Sequence, residues 1–273
     1  MKVFISIDLE GITGVCLEAQ TTMGTPEYTE AIGWMRADLD AAIAGCLEAG
    51  ATEIVVCDAH DRGANLRIDG LPAQVRLASG SPTRASMLHG LDETCSAAIF
   101  IGYHAMAGTR HGVLDHTYTY DVFRVRIDEY LEVGEIGINA GLTGRFGVPV
   151  VFVSGDQVTA DEACELLPGV RTAIVKHGTS RTAARLLPPE VTAPLIRNGV
   201  AEALTATDRP APLDFTDLPL RITFRTTRAC DSAERCPGTE RVDGCTLQIV
   251  GGDYLHTFVA LQACLELAQA ARE

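Results

Sequence analysis

Val3 to Ile7 reads as a short apolar strand that stops at Asp8-Leu9-Glu10-Gly11. From Tyr28 to Ala49 the apolar residues Ala31, Met35, Leu39, Ala42, Ile43, Cys46 and Leu47 recur at helical spacing, and Gly50 supplies the stop. A second strand, Ile54 to Cys57, ends at Asp58-Ala59-His60-Asp61. Strand, crossover helix and strand of this size make a β-α-β unit. Strands joined in that way lie parallel, so the chain is committed to a sheet covered by helices.

The pattern repeats downstream. Ser81 to Gly90 reads as a short helix, Ala97 to Ile101 as an apolar strand ending in Gly102-Tyr103-His104, and Tyr118 to Ile127 as one or two antiparallel strands. Leu131 to Thr143 reads as a helix, Pro149 to Ser154 as a strand breaking at Gly155-Asp156, Asp161 to Leu167 as a helix and Val170 to Lys176 as a strand. Beyond residue 180 the character changes. A helix from Pro188 to Val200, a strand at Ile222-Thr223-Phe224, a polar loop or hairpin over 228–244 and a closing helix from Tyr254 to Ala271 follow. The expected fold class is α/β, a largely parallel sheet flanked by helices with a smaller C-terminal α+β lobe. The expected division is 1–180 and 181–273.

Composition narrows the partners. The 273 residues suffice for a large core, and 47% hydrophobic with 21% charged residues describes an ordinary globular protein. Asp plus Glu is 36 against 22 Lys plus Arg, a net charge of −14. That balance opposes binding to nucleic acid or to an anionic membrane. No apolar stretch approaches the roughly 18 residues of a membrane span. The N-terminal apolar run meets Asp8 too soon for a signal peptide, so a cytoplasmic location is expected. The nine cysteines are scattered with no Cys-x-x-Cys pair, which reads as small buried hydrophobes and not a disulfide framework. The spacing of Cys230, Cys236 and Cys245 is too loose to carry a metal motif.

Ligands of open parallel sheets sit outside the carboxyl ends of the strands. Asp8, Glu10, Asp58, His60, His104 and Asp156 all fall at such ends. Asp8 and Glu10 lie two apart, so on an extended segment both carboxylates point the same way, and a cation relieves their repulsion. His60 and His104 add imidazoles on neighbouring loops. Oxygen and nitrogen donors in this mixture suit zinc, and also manganese or cobalt, as one ion or as a pair. Glu135, between glycines and apolar residues, is an acid on a buried helix face that needs a partner. His116, with His111 as its rival in the same loop, is a candidate acid or base. Asp156, Asn139, Asp58 and Asp61 are candidates to orient the histidines. No Gly-x-Ser-x-Gly elbow or phosphate-binding glycine loop is present.

Taken together, Ser6-Ile7-Asp8-Leu9-Glu10-Gly11-Ile12-Thr13-Gly14, Asp58-Ala59-His60, Gly102-Tyr103-His104-Ala105, His116 and Val133-Gly134-Glu135-Ile136-Gly137-Ile138-Asn139-Ala140 resemble the zinc-dependent D-aminopeptidase family linked to bacterial dipeptide transport. Val153-Ser154-Gly155-Asp156 and Val175-Lys176-His177-Gly178-Thr179-Ser180-Arg181 extend the likeness. The resemblance implies two zinc ions per subunit held by Asp8, Glu10, His60, His104 and Glu135, with Asp8 bridging, and a catalytic His116. It implies hydrolysis of the N-terminal peptide bond of short peptides with D-amino acids, such as D-Ala-D-Ala. It also implies a homodecamer whose sites face an inner channel, the C-terminal lobe taking part in oligomer contacts. The alternative is a dinuclear metal hydrolase acting on another amide or on a phosphate ester.

Overall fold

The computed structural model describes residues 1–271. The main sheet uses β1 (Lys2–Ile7), β2 (Glu53–Asp58), β3 (Val75–Ala78) and β4 (Ala97–Ile101) from the first hundred residues. Between β1 and β2 run α1 (Glu18–Thr21) and the long α2 (Pro26–Glu48). Next come β5 (Val122–Ile127), β6 (Leu131–Glu132), α3 (Glu135–Arg145), β7 (Val150–Asp156), α4 (Gln157–Leu166), β8 (Arg171–Ser180) and β9 (Ala183–Leu186). The chain closes with α5 (Pro189–Thr205), β10 (Leu220–Phe224), α6 (Thr227–Ala233), β11 (Thr239–Arg241), β12 (Thr246–Ile249) and α7 (Tyr254–Ala270).

The α/β class and its C-terminal lobe are what the structure contains. The large sheet has the order β3-β2-β1-β4-β7-β8-β9, parallel throughout except for the β8–β9 pair. The smaller sheet, β11-β12-β10-β5-β6, is antiparallel and recruits the 122–132 hairpin. Residues 228–244, expected as loop or hairpin, hold most of α6 and the first arm of the β11–β12 hairpin. Thr226 begins that helix by accepting a bond from the Ala229 N–H at its hydroxyl. The expected helix over 81–90 reduces to a single tight turn, Ser86–Leu88.

Alternation along β1 sorts the core into two layers. Val3, Ile5 and Ile7 face Ala31, Met35, Leu39 and Ile43 of α2 and Ile196 and Val200 of α5. Phe4 belongs to the other layer, with Ile136 and Ile138 of α3, Phe258 and Leu261 of α7 and Ile222 of the small sheet. Both faces of the parallel strands are therefore covered, which is why they read as largely apolar runs.

The strand order places the site. From β1 the chain steps outward through β2 to β3, then crosses to β4 on the other side of β1. The direction reverses between β1 and β4, and beyond the carboxyl ends of two strands at such a point there is a crevice. Asp8 follows β1, His60 follows β2 and His104 follows β4, so three separate loops converge there.

Candidate metal centre

Backbone geometry brings the loops close. β1 ends at Ile7 and the chain turns at Leu9 and Glu10 in place of the extended segment expected there. The turn is pinned to the neighbouring loop, with Asp8 N donating to the Ile101 carbonyl at 2.9 Å and Gly11 N to the Gly102 carbonyl at 2.7 Å. Gly102 has φ +68°, and a Cβ there would collide with the Asp8 carbonyl. Only glycine allows these two loops to touch.

The turn delivers both acids to the same imidazole. His60 Nδ1 lies 3.3 Å from Asp8 Oδ1 and 3.1 Å from Glu10 Oε2. The other Asp8 oxygen, Oδ2, is 3.5 Å from His104 Nε2, so this carboxylate stands between the two histidines. Glu135 Oε1 lies 3.3 Å from His104 Nε2 and 3.8 Å from His116 Nε2. Glu135 is the first residue of α3, where the helix dipole favours a negative charge. Its Oε1 also accepts the Tyr118 N–H at 2.6 Å. The His104 and His116 rings stack, centroids 4.1 Å apart.

Each imidazole is oriented by a backbone carbonyl. His60 Nε2 meets the Thr21 carbonyl at 2.9 Å, His104 Nδ1 that of Ala105 at 3.1 Å and His116 Nδ1 that of Leu114 at 2.9 Å. Donating that ring N–H leaves the opposite nitrogen facing the carboxylates, which is the orientation a ligating imidazole needs. None of the four acids and amides considered for this task performs it. Asp58 accepts from Asn65 N, Asn65 Nδ2 and Leu66 N, holding the loop after β2. Asp156 caps α4 through Thr159 N and accepts from Val113 N. Asn139 bonds Tyr103 and Tyr118, and Asp61 is an exposed residue on the cleft wall.

Three carboxylates and three imidazoles are crowded away from water, and their titration reflects it. Burial, with the nearby charge of Glu10, pushes Asp8 up to about 7. Burial also opposes charge on Glu10, but the charge of the neighbouring His60 outweighs it and holds Glu10 well below its usual range. Burial alone would lower His60, yet Glu10 and Asp8 raise it well above an ordinary histidine. The same contest, won by Glu135 and Asp8, lifts His104 to about 10. Burial and the adjacent His104 lower His116.

The donor set fits metal ions. Asp8, Glu10 and His104 place ligand atoms within 4.8 Å of one another, and so do His104, His116 and Glu135. Glu10 Oε2 and His104 Nε2 have these charged groups close by, yet both are buried and make no hydrogen bond among the described residues. A buried polar atom left in that state costs about 1–3 kcal/mol unless something else satisfies it. Hard carboxylate oxygens with borderline imidazole nitrogens are the ligands zinc takes. No cysteine joins either cluster: Cys230, Cys236 and Cys264 lie in the apolar core.

His116 sits on the cleft wall beside these groups, whereas its rival His111 points to the Thr179 carbonyl and does not line the cleft. The His116 loop is tied down by Arg181, which pairs with Asp115 at 2.8 Å and lies over Tyr120. Two further residues escaped the sequence reading. Lys176 of β8 is fully buried and donates to the carbonyls of Glu10 at 2.5 Å, Ile12 at 3.0 Å and Val15 at 2.6 Å, clamping the turn that carries the acids. Burial pulls its pKa down to about 8. Glu162 of α4 accepts the Met106 N–H at 2.8 Å. Its other oxygen faces Gly134, where a Cβ would meet Met106 Cβ at 2.6 Å, so glycine is needed there and the carboxylate reaches both loops flanking His104 and Glu135. The lysine that interrupts the apolar run of β8 was the available signal for Lys176, whereas Glu162, between Asp161 and Glu165, carries none. Nothing in the sequence said which loop each would reach.

The fold and site thus define an α/β protein with a buried carboxylate–imidazole metal centre at the switch point of its sheet. A family described as D-aminopeptidase matches residues 1–263. The D-aminopeptidase of Bacillus subtilis (strain 168) is 37% identical over 270 residues, covering 98% of each chain. Among solved structures, the Zn-dependent D-aminopeptidase DppA from Bacillus subtilis, described as a self-compartmentalizing protease, superposes with a TM-score of 0.95. It is 36% identical, again over 98% of each chain. The chain belongs to the D-aminopeptidase family.

Proposed function

We propose that this protein is a dinuclear zinc aminopeptidase that removes the N-terminal residue of short peptides with D-amino acids, D-Ala-D-Ala being the simplest substrate. The observation that carries the reading is the buried cluster of Asp8, Glu10, His60, His104 and Glu135, with two of its polar atoms unpartnered, in a chain of this family. Asp8 is assigned as the bridging ligand because its two oxygens face different histidines. Glu10 and His60 complete one side, His104 and Glu135 the other. When bound, the ions supply Lewis acidity toward the scissile carbonyl and lower the pKa of water.

His116 is assigned as the catalytic acid–base. Its side chain is 14% exposed against 1% for His104, and its Nε2 stands farther from Glu135 than that of His104 does. With Nδ1 held by Leu114, Nε2 is the atom that accepts or delivers a proton, and the natural destination is the leaving amine. The cleft encloses about 710 Å³, enough for a short peptide.

The reading extends to assembly and location. A homodecamer with inward-facing sites accords with the self-compartmentalizing description of the relative, and Phe123, Tyr130 and Leu131 expose apolar surface on the β5–β6 hairpin. All the proposed ligands precede residue 180; residues 181–273 add Gln262, Leu265, Glu266 and Gln269 of α7 to the cleft wall and are assigned a share in contacts between copies. A cytoplasmic location is in keeping with the absence, among the described residues, of any helix long and apolar enough to cross a membrane. The test is turnover of D-Ala-D-Ala and L-Ala-L-Ala before chelation, after it and after zinc is restored. Chelator-sensitive release of alanine that prefers the D-peptide is expected. Cleavage untouched by chelation, or none with zinc restored, overturns the proposal.

A further inference from the structure

We infer that Arg62 binds the free C-terminal carboxylate of the peptide and thereby selects very short substrates. The inference rests on the aminopeptidase reading and names what recognises the end of the substrate opposite the reacting amine.

The cleft is rich in acids. Besides the proposed ligands, Asp58, Asp61 and Glu266 line it, and the whole chain carries −14. An anionic substrate end entering such a cleft needs a fixed positive charge to meet it. Arg62 is the one lysine or arginine lining the cleft among the described residues. Its side chain makes no hydrogen bond or ion pair among the described residues, and it is exposed. Arg181, the nearest rival along the rim, is already committed to Asp115 and Glu18 and does not line the cavity.

Arg62 is also well mounted. Asp58 holds the backbone N–H groups of Asn65 and Leu66, Gly63 N donates to the His60 carbonyl at 2.9 Å, and the Gly63 carbonyl accepts from Gly80 N and Ser79 Oγ at 2.6 Å each. The loop that carries His60 thus holds in place the backbone from which Arg62 extends, two positions on. A guanidinium presents two parallel N–H donors that match a carboxylate. In a dipeptide the carboxylate follows the scissile bond by one residue, about 3.5 Å of extended chain, and each added residue carries it farther from a fixed cation. A cation on the wall of the cleft that holds the metal centre therefore favours the shortest peptide.

The test compares D-Ala-D-Ala with its C-terminal amide, using wild type, Arg62→Ala and Arg62→Lys. The readout is the ratio of kcat/KM for acid over amide. A charge-assisted contact of this kind predicts a fall of about tenfold or more in that ratio for Arg62→Ala, through KM for the acid. Arg62→Lys is expected to restore most of it. An unchanged ratio in Arg62→Ala overturns the role of Arg62 while leaving the aminopeptidase reading intact. Failure of the wild type to cleave either compound overturns that reading, and this inference with it.

Discussion

The loop edge of the parallel sheet and the antiparallel lobe solve opposite problems. All the buried Asp, Glu, His and Lys residues among those described fall between Asp8 and Lys176. Beyond that point the buried polar residues are threonines, Thr192, Thr246 and Thr257. The small sheet keeps its charges at the surface, as in the pairing of Arg126 with Glu132 at 2.9 Å. It packs Ile222, Phe224, Leu247 and Ile249 beneath. One region optimises burial, while the other concentrates ionisable groups where water cannot solvate them. Such a concentration is costly to fold and useful for chemistry, since fields are strong where water is absent.

Substitutions separate the two regions, and their expected effects descend in size. Asp8→Ala removes the carboxylate between the two histidines, so metal content and turnover should fall together. Elemental analysis beside a kinetic assay reads both, and full metal content would break the bridging assignment. His116→Ala should lose about 10²–10⁴ in kcat while keeping its metal, because it removes a proton-transfer group and no proposed ligand. Retained turnover would return His116 to a packing role.

Lys176→Met takes the ammonium donor from the buried carbonyls of Glu10 and Val15, and leaves that of Ile12 with the Val15 N–H alone, at a cost of about 3 kcal/mol in a urea titration. Asp38→Asn should act in the other direction. Burial raises Asp38 to about 6 from an ordinary value of 3.8, so the folded state binds its proton more tightly than the unfolded state does. Stability from this group is present below the unfolded pKa and is lost as pH rises through about 6. The amide cannot ionise and keeps an oxygen for the Thr13 N–H, so at pH 8 the variant should be more stable by about 2 kcal/mol. At pH 4 the gain should vanish. On the lobe, Arg126→Ala should change stability by less than about 1 kcal/mol, and a larger loss would blur the contrast.

Much of this contrast is legible in the sequence. Apolar runs that end abruptly in acids or histidines mark β1, β2 and β4, because strands covered on both faces carry almost only apolar side chains until they leave the sheet. The helical spacing before Gly50 likewise marks α2. Shorter features escape. β3 and β9 are four-residue strands near the sheet edges, too brief for a period to register. α6 hides in a polar stretch because it buries Ala229, Cys230 and Ala233, small residues with little hydropathic signal. At the site, the residue types were visible and their supports were not. The histidines lean on carbonyls of Thr21, Ala105 and Leu114, which every residue possesses, so no side-chain pattern announces them. Lys176 reaches across more than 160 positions to its partners, a contact that only the strand order creates.

The central claim is that the unpartnered atoms of Glu10 and His104 belong to a two-metal site. Elemental analysis of the purified protein, extensively dialysed and then titrated with zinc, tests it without reference to any substrate. The account predicts about two zinc ions bound per chain, as a paired site requires, with the stoichiometry reduced in Asp8→Ala. A protein that holds no transition metal and takes up none on titration would contradict it.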